Sequence, residues 1–261
     1  MTRKTPEDKL KEWRRGHEKL YAQVLLADPQ PTTILKAIPS PGLSLLMGDI
    51  GSGKSGLAHE IAWQLYQKKG HPAVIHLPPH APVQVKEKAK RLLSKYKWIK
   101  VTTSLAEWPH GSTVIVDEAS QSAHARRGQS GEAIEIDNLL GVCRQRDQTI
   151  LFIAHQSRKL DIEVIRAVHR IVWKEPTHAH AVFERDELSD FTWKALEFFA
   201  KLPTDAARKK AALVVNFKHL GITQLKNGLP PWWTEELSCV FKDLGNGNHN
   251  GNRSNMSGVL R

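Results

Sequence analysis

The residues whose types and spacing carry the clearest chemistry are Gly48-Asp49-Ile50-Gly51-Ser52-Gly53-Lys54-Ser55, followed by Gly56. They match G-x-x-x-x-G-K-S. An apolar run over 43–47 enters the segment, and residues from Lys54 to Lys69 leave it with helical spacing. A strand before and a helix after is the context in which this pattern folds into a phosphate-binding loop. Its glycines let the backbone curl until successive N–H groups point at one anion. The helix that starts at Lys54 or Ser55 adds the positive end of its dipole. Lys54 is expected to reach the β- and γ-phosphates, and the Ser55 hydroxyl to ligate Mg²⁺. The sequence thus predicts a nucleoside triphosphate site.

Two further strand ends supply partners for that site. Thr113-Val114-Ile115-Val116 is a β-branched run bounded by Gly111 and Ser112, so it reads as a buried parallel strand. It ends in Asp117 and Glu118. An acid at such a tip lies in the crevice where open α/β sheets bind ligands. Asp117 is the expected Mg²⁺ partner, and Glu118, one residue on, can take a proton from an attacking water. A third strand, 149–154, ends in His155 and Gln156. Gln156 at that tip can hydrogen-bond the attacking water or the γ-phosphate and so report the phosphate's presence. His155 beside it reads first as a packing residue.

The order loop, strand-Asp117-Glu118, strand-His155-Gln156 resembles the additional-strand, catalytic-glutamate P-loop ATPases, and within them the HerA–FtsK superfamily of DNA-pumping motors. The resemblance rests on Val116 to Ser120, on Arg144 to Gln156 and on Leu160-Asp161-Ile162. It covers about residues 40–175. The chain also looks like the ATPase part of zonula-occludens-toxin-like phage assembly proteins, although it has no apolar stretch near the 18–20 residues that a membrane span requires. The compact viral genome-packaging ATPases are the members nearest in size. The resemblance implies a RecA-like α/β P-loop fold with a mostly parallel sheet, ATP and Mg²⁺ as ligands, hydrolysis coupled to DNA movement, and a homo-oligomeric ring.

Such a ring would place an arginine of one subunit at a neighbour's nucleotide. An arginine that neutralises transition-state charge is worth about 10³–10⁵ in rate, and the phosphate loop carries none. Arg144 and Arg146, which follow the apolar part (132–143) of a predicted helix and precede the third strand, are the leading candidates. Arg158 is the alternative.

Composition agrees with an anionic partner. The 261 residues carry 38 Lys+Arg against 27 Asp+Glu, a formal charge of +11, and such a balance favours phosphate backbones or anionic surfaces. Arg126 and Arg127, in the small-residue-rich loop 121–131 just beyond the acids, are the expected contacts to nucleic acid or, in a ring, to the neighbouring subunit. Lys86, Lys88, Lys90, Arg91, Lys95, Lys97 and Lys100 form a second basic run that reads first as a solvated face. The two cysteines, Cys143 and Cys239, exclude a disulfide scaffold and a cysteine zinc site and fit a reducing cytoplasm. The charged N-terminus has no signal-peptide core. The expected location is cytoplasmic, or virion-associated for a phage-encoded protein.

The elements that must hold these residues follow from periodicity. An N-terminal helix is predicted over 6–27, with a linker to 35. A P-loop core spans 36–186, with strands at 43–47, 73–77, 98–103, 113–116, 149–154 and 169–174 and helices at 54–69, 83–96, 132–145 and near 161–167. A strand at 180–185 is expected to close the sheet, presenting His178 and His180 on one face. Residues 187–244 read as a helical region, with helices at 188–201, 204–218, 220–227 and 233–243, and 245–261 as a disordered tail. Helices after the motor raise a competing reading, an AAA+ helicase loader or transposition regulator. A nucleotide-switched DNA-binding adaptor is a third. Trp232 and Trp233 read as core rather than as base-stacking residues.

Overall fold

The strand that enters the glycine-rich loop is buried along its whole length, as a strand covered on both faces must be. The computed structural model describes residues 22–78, 81–117, 143–160 and 162–242. The predicted helix up to residue 21, most of the predicted helix 132–145, the tail 245–261, and Glu118, Arg126 and Arg127 lie outside them.

Among the described residues nine strands form one sheet: β1 (Gln30–Thr32), β2 (Gly42–Met47), β3 (Ala73–His76), β4 (Ile99–Thr102), β5 (Thr113–Val116), β6 (Thr149–Ile153), β7 (Arg170–Trp173), β8 (Ala211–Asn216) and β9 (Gly221–Lys226). Their order across the sheet is β1-β9-β8-β7-β2-β6-β5-β3-β4. Only β8 runs against the rest. The helices are α1 (Ile34–Ala37), α2 (Lys54–Lys69), α3 (Val83–Leu93), α4 (Ile162–Ala167), α5 (His178–Val182), α6 (Asp186–Ala200), α7 (Asp205–Lys209) and α8 (Glu235–Lys242). The fold is the mostly parallel α/β sheet that the strand–helix alternation predicts.

The alternation of side chains along each strand divides the core in two. Leu45, Val114, Phe152, Trp173 and Val215 face Phe191, Ala195 and Phe199 of α6. Leu46, Ile115, Leu151, Val172 and Val214 face Leu57, Ile61 and Leu65 of α2. The phosphate loop therefore feeds a helix whose apolar side is pinned to the centre of the sheet.

Three predicted elements differ. The expected strand 180–185 is replaced by α5, because Thr177 caps a helix: its Oγ1 accepts the His180 N–H at 3.3 Å, and His180 Nδ1 accepts the Thr177 N–H at 3.1 Å. His178 and His180 thus share no strand face. The expected helices 204–218 and 220–227 are instead α7 and the β8–β9 hairpin. Asn216 Oδ1 accepts the N–H groups of Lys218 (3.0 Å) and His219 (3.3 Å) and turns the chain there. Val214 and Val215 are then free to pair along β7, where β-branched residues pack well.

Trp232 and Trp233 belong to the core, as the proline-flanked pair suggested. Trp232 is buried with Leu237 and Val240 of α8 and with Val85, Ala89 and Leu93 of α3. The ring of His59, on α2, lies 5.0 Å from Trp232 and 4.7 Å from Trp233. Burial pushes His59 down to about 3 from its ordinary 6.5. Its neutral form is therefore the folded one, so stability is full above 6.5 and declines as pH falls from 6.5 towards 3. Trp232→Ala should cost about 3 kcal/mol of stability, the usual penalty for an emptied aromatic site. Urea unfolding measures it; a loss under about 1 kcal/mol would mean that the α8 segment is not part of the cooperative core.

Candidate functional site

β2 lies between β6 and β7, and hydrogen bonding continues past its end. The Ala154 N–H donates to Leu46 O at 3.0 Å, and the Lys174 N–H donates to Met47 O at 2.8 Å. The chain leaving β2 is thereby squeezed against Lys174. A Cβ on Gly48 would stand 2.8 Å from the Lys174 carbonyl oxygen, and Gly48 has φ +141°. Only glycine fits there. Asp49 is tied by its N–H to Glu175 O at 2.9 Å, and the Ser52 N–H returns to Asp49 O at 3.2 Å. Ile50 and Gly51 form the exposed crest of the loop. Gly53, left-handed at φ +93°, starts α2 with no side-chain cap. The first N–H groups of α2 are consequently available to an anion held in the loop.

Lys54 folds across this loop. Its Nζ donates to Gly48 O at 2.9 Å and to Asp49 O at 2.8 Å, and lies 3.2 Å from His155 Nδ1. The Ser55 hydroxyl donates to Asp117 Oδ2 at 3.4 Å, with Asp117 buried at the tip of β5. A hydroxyl and a carboxylate oxygen this close suit neighbouring positions around Mg²⁺, a hard ion that takes oxygen ligands at about 2.1 Å. The residues present fit that ion. Gly56 receives the side chain of Leu229: a Cβ on Gly56 would meet Leu229 Cδ2 at 2.7 Å.

His155, rather than Gln156, is the strand-end residue against Lys54. Gln156 stands at the start of the 3-10 turn Ser157–Lys159. That turn is held from below: Ser157 Oγ donates to Glu184 Oε1 in a short hydrogen bond, and Arg158 donates to Glu184 O at 2.8 Å. Arg185 donates to Leu160 O at 2.8 Å. His180 completes the polar group. Burial pushes it below its ordinary value, Asp49 and Glu184 oppose that change, and Lys54 and His155 add to it. Sequence reasoning considered Glu184 only beside His178 and His180 and did not foresee its tie to Ser157, 27 positions away.

Of the predicted residues, Gly48 to Gly56, Lys54, Ser55 and Asp117 come together. Arg144 and Arg146 do not join them within one chain. They precede β6, at the opposite end of the strands from the loop, where Arg146 donates to Trp108 O at 2.6 Å and Arg144 is exposed.

No protein-family model and no curated protein matches the sequence. Solved structures do. The genome packaging NTPase B204 from Sulfolobus turreted icosahedral virus 2, in complex with sulfate, superposes with a TM-score of 0.51 at 13% identity over 72% of this chain and 97% of that one. Its complex with ATP-gammaS gives 0.50 at 12% over the same shares. The N-terminal domain of zonular occludens toxin from Neisseria meningitidis matches 51% of this chain and 76% of that one at 18% identity, with a TM-score of 0.35. The chain has the fold of the B204 packaging NTPase. At these identities the likeness is one of fold, in agreement with the RecA-like architecture predicted from the motif order.

Gly48→Ala should displace the loop from Lys174 and weaken nucleotide binding by at least about tenfold, or 1.4 kcal/mol. Equilibrium binding by a fluorescent ATP analogue checks this; wild-type affinity in the folded variant would contradict the close-approach argument.

Proposed function

We propose that this chain is a Mg²⁺-dependent ATPase that couples hydrolysis to the translocation or packaging of DNA. The observation that carries the nucleotide half is the convergence of Lys54, Ser55, Asp117 and His155 on one loop at the ends of β2, β5 and β6. The DNA half is supported by the net charge of +11 and by the likeness in fold to a solved genome packaging NTPase.

The chain's own residues suggest how the reaction runs. Backbone N–H groups from Gly51 to Ser55 hold the β-phosphate, and Lys54 exchanges the carbonyls of Gly48 and Asp49 for phosphate oxygens. Ser55 and Asp117 would hold Mg²⁺, which when bound neutralises charge on the β- and γ-phosphates. Glu118 follows Asp117 directly and takes the proton of the attacking water. His155 and Gln156 meet the γ-phosphate side, and the Ser157–Glu184 contact keeps their turn in place. A neighbouring subunit of a ring contributes Arg144, Arg146 or Arg158, and Arg126 and Arg127 contact DNA. The helicase-loader reading has less support, because the β8–β9 hairpin extends the sheet where a helical lid would stand.

Lys54→Ala should abolish Mg·ATP binding, whereas Glu118→Gln should retain it and lose turnover by about 10²-fold or more. Duplex DNA should raise the wild-type rate, less so at high salt as counterion release predicts, and Arg126→Ala with Arg127→Ala should lower that stimulation more than the basal rate. Steady-state phosphate release with and without DNA is the measurement. Turnover without any response to DNA would favour the switched adaptor, and near-normal turnover of Glu118→Gln would remove the general base.

A further inference from the structure

The ammonium of Lys174 is a buried charge that the reaction above leaves unused. Lys174 follows β7, and its side chain runs behind the phosphate loop: Cε lies 3.5 Å and Nζ 3.8 Å from the point that a Cβ on Gly53 would occupy. Nζ donates to Lys209 O at 2.7 Å, to Ala211 O at 2.7 Å and to Asn227 Oδ1 at 3.0 Å. An ammonium has three donors, and all three are matched. The residue is fully buried. Neutral dipoles satisfy its hydrogen bonds without cancelling its charge, and a buried charge is weakly screened by salt. The three acceptors account for the ammonium's hydrogen bonds, and an apolar chain of similar length would leave them unpaired; they do not offset its charge, and that charge faces Gly53 of the loop.

We infer that Lys174 is a second, built-in cation of the triphosphate site, bracing Gly53 against the β8–β9 hairpin and strengthening the hold of the loop on polyphosphate. This inference rests on the nucleotide reading above. Lys174 acts through the loop, so it is a positioning residue rather than a catalytic one.

The charges around it are few and mixed. Glu175, next in the chain, favours the ammonium, and its carboxylate is paired with Arg208 Nε of α7 at 2.9 Å. The other elements packed here bring Asp49 and Lys54 from the loop and α2, Asp205 and Lys209 from α7, Lys210 before β8, and Lys226 at the end of β9. Burial pushes the ammonium down to about 7. A polyphosphate bound beside it favours the charged form, so the pKa of the bound state lies above that of the free state. Affinity is then full below the free value and is lost as pH rises through the bound one.

The test is calorimetric titration of the full chain with a non-hydrolysable ATP analogue and excess Mg²⁺ between pH 7 and 9.5. At pH 8, above the ordinary range of histidine, two buffers of different ionisation enthalpy report proton uptake. The expected result is a net uptake at pH 8 and an affinity that falls by about fivefold or more across the range, since a tenfold difference in proton affinity between bound and free protein is a tenfold difference in ligand affinity. Lys174→Met should bind at least about tenfold more weakly at pH 7, with a flat pH profile. Lys174→Arg, which stays charged, should restore part of that affinity without proton uptake. Where Lys174→Met does not fold, the wild-type profile decides alone. Binding of wild type with no proton uptake and no pH dependence would overturn the inference while leaving the nucleotide reading intact. No saturable binding at any pH, with Lys54→Ala indistinguishable from wild type, would overturn both.

Discussion

The place of β2 between β6 and β7 governs the rest of the molecule. Parallel pairing on both sides brings the ends of three neighbouring strands to one level, so that Gly48, His155 and Lys174 emerge side by side. At that level the backbone of Gly48 lies so close to the Lys174 carbonyl that no side chain fits. The chain must turn, and it turns into the N-terminus of a helix whose other face is buried against the sheet. A glycine-rich loop with an exposed crest at Ile50 and Gly51 is thus held between buried strands and a buried helix face. Preorganised donors of this kind stabilise an anion without the cost of arranging them on binding.

A second consequence of that placement is electrostatic. The loop collects N–H groups, the positive end of α2, the Lys54 ammonium and, behind Gly53, the buried Lys174, with few acids close by. Asp117 is the acid positioned to meet a cation, and it faces the hydroxyl of Ser55. On the proposed reading the site divides into an anion-holding side and a smaller corner suited to a metal, the division that a Mg²⁺–polyphosphate complex requires. The hairpin β8–β9 and the Trp232–Trp233 segment wrap this assembly from outside. Asn227 holds Lys174, Leu229 covers Gly56, and the two tryptophans flank His59 further along α2.

Much of this was legible because the relevant signals are local. The glycine pattern, the apolar strands 43–47 and 113–116 and the acid at 117 each announce themselves within a dozen residues, and helix 54–69 matches α2 throughout. What escaped depends on distant partners. Residues 211–226 follow a run of good helix formers, Ala206 to Lys210, and only pairing of β8 with β7 and of β9 with β8 reveals them as strands. Residues 178–182 alternate like a strand, yet the Thr177 cap, a reciprocal exchange across three residues, selects a helix. Lys174 reads as an ordinary charged residue at the end of the predicted strand 169–174, and nothing in its neighbours announces that Lys209, Ala211 and Asn227 close over it. Glu118, Arg126 and Arg127 rest on the sequence alone.

The most direct measurement of the central claim is a crystal structure of the chain with Mg²⁺ and a non-hydrolysable ATP analogue. The account predicts Lys54 Nζ drawn from the carbonyls of Gly48 and Asp49 to oxygens of the β- and γ-phosphates, with Mg²⁺ beside Ser55 and Asp117. A triphosphate bound elsewhere, or a saturated crystal in which Lys54 keeps its contacts with Gly48, Asp49 and His155, would contradict it.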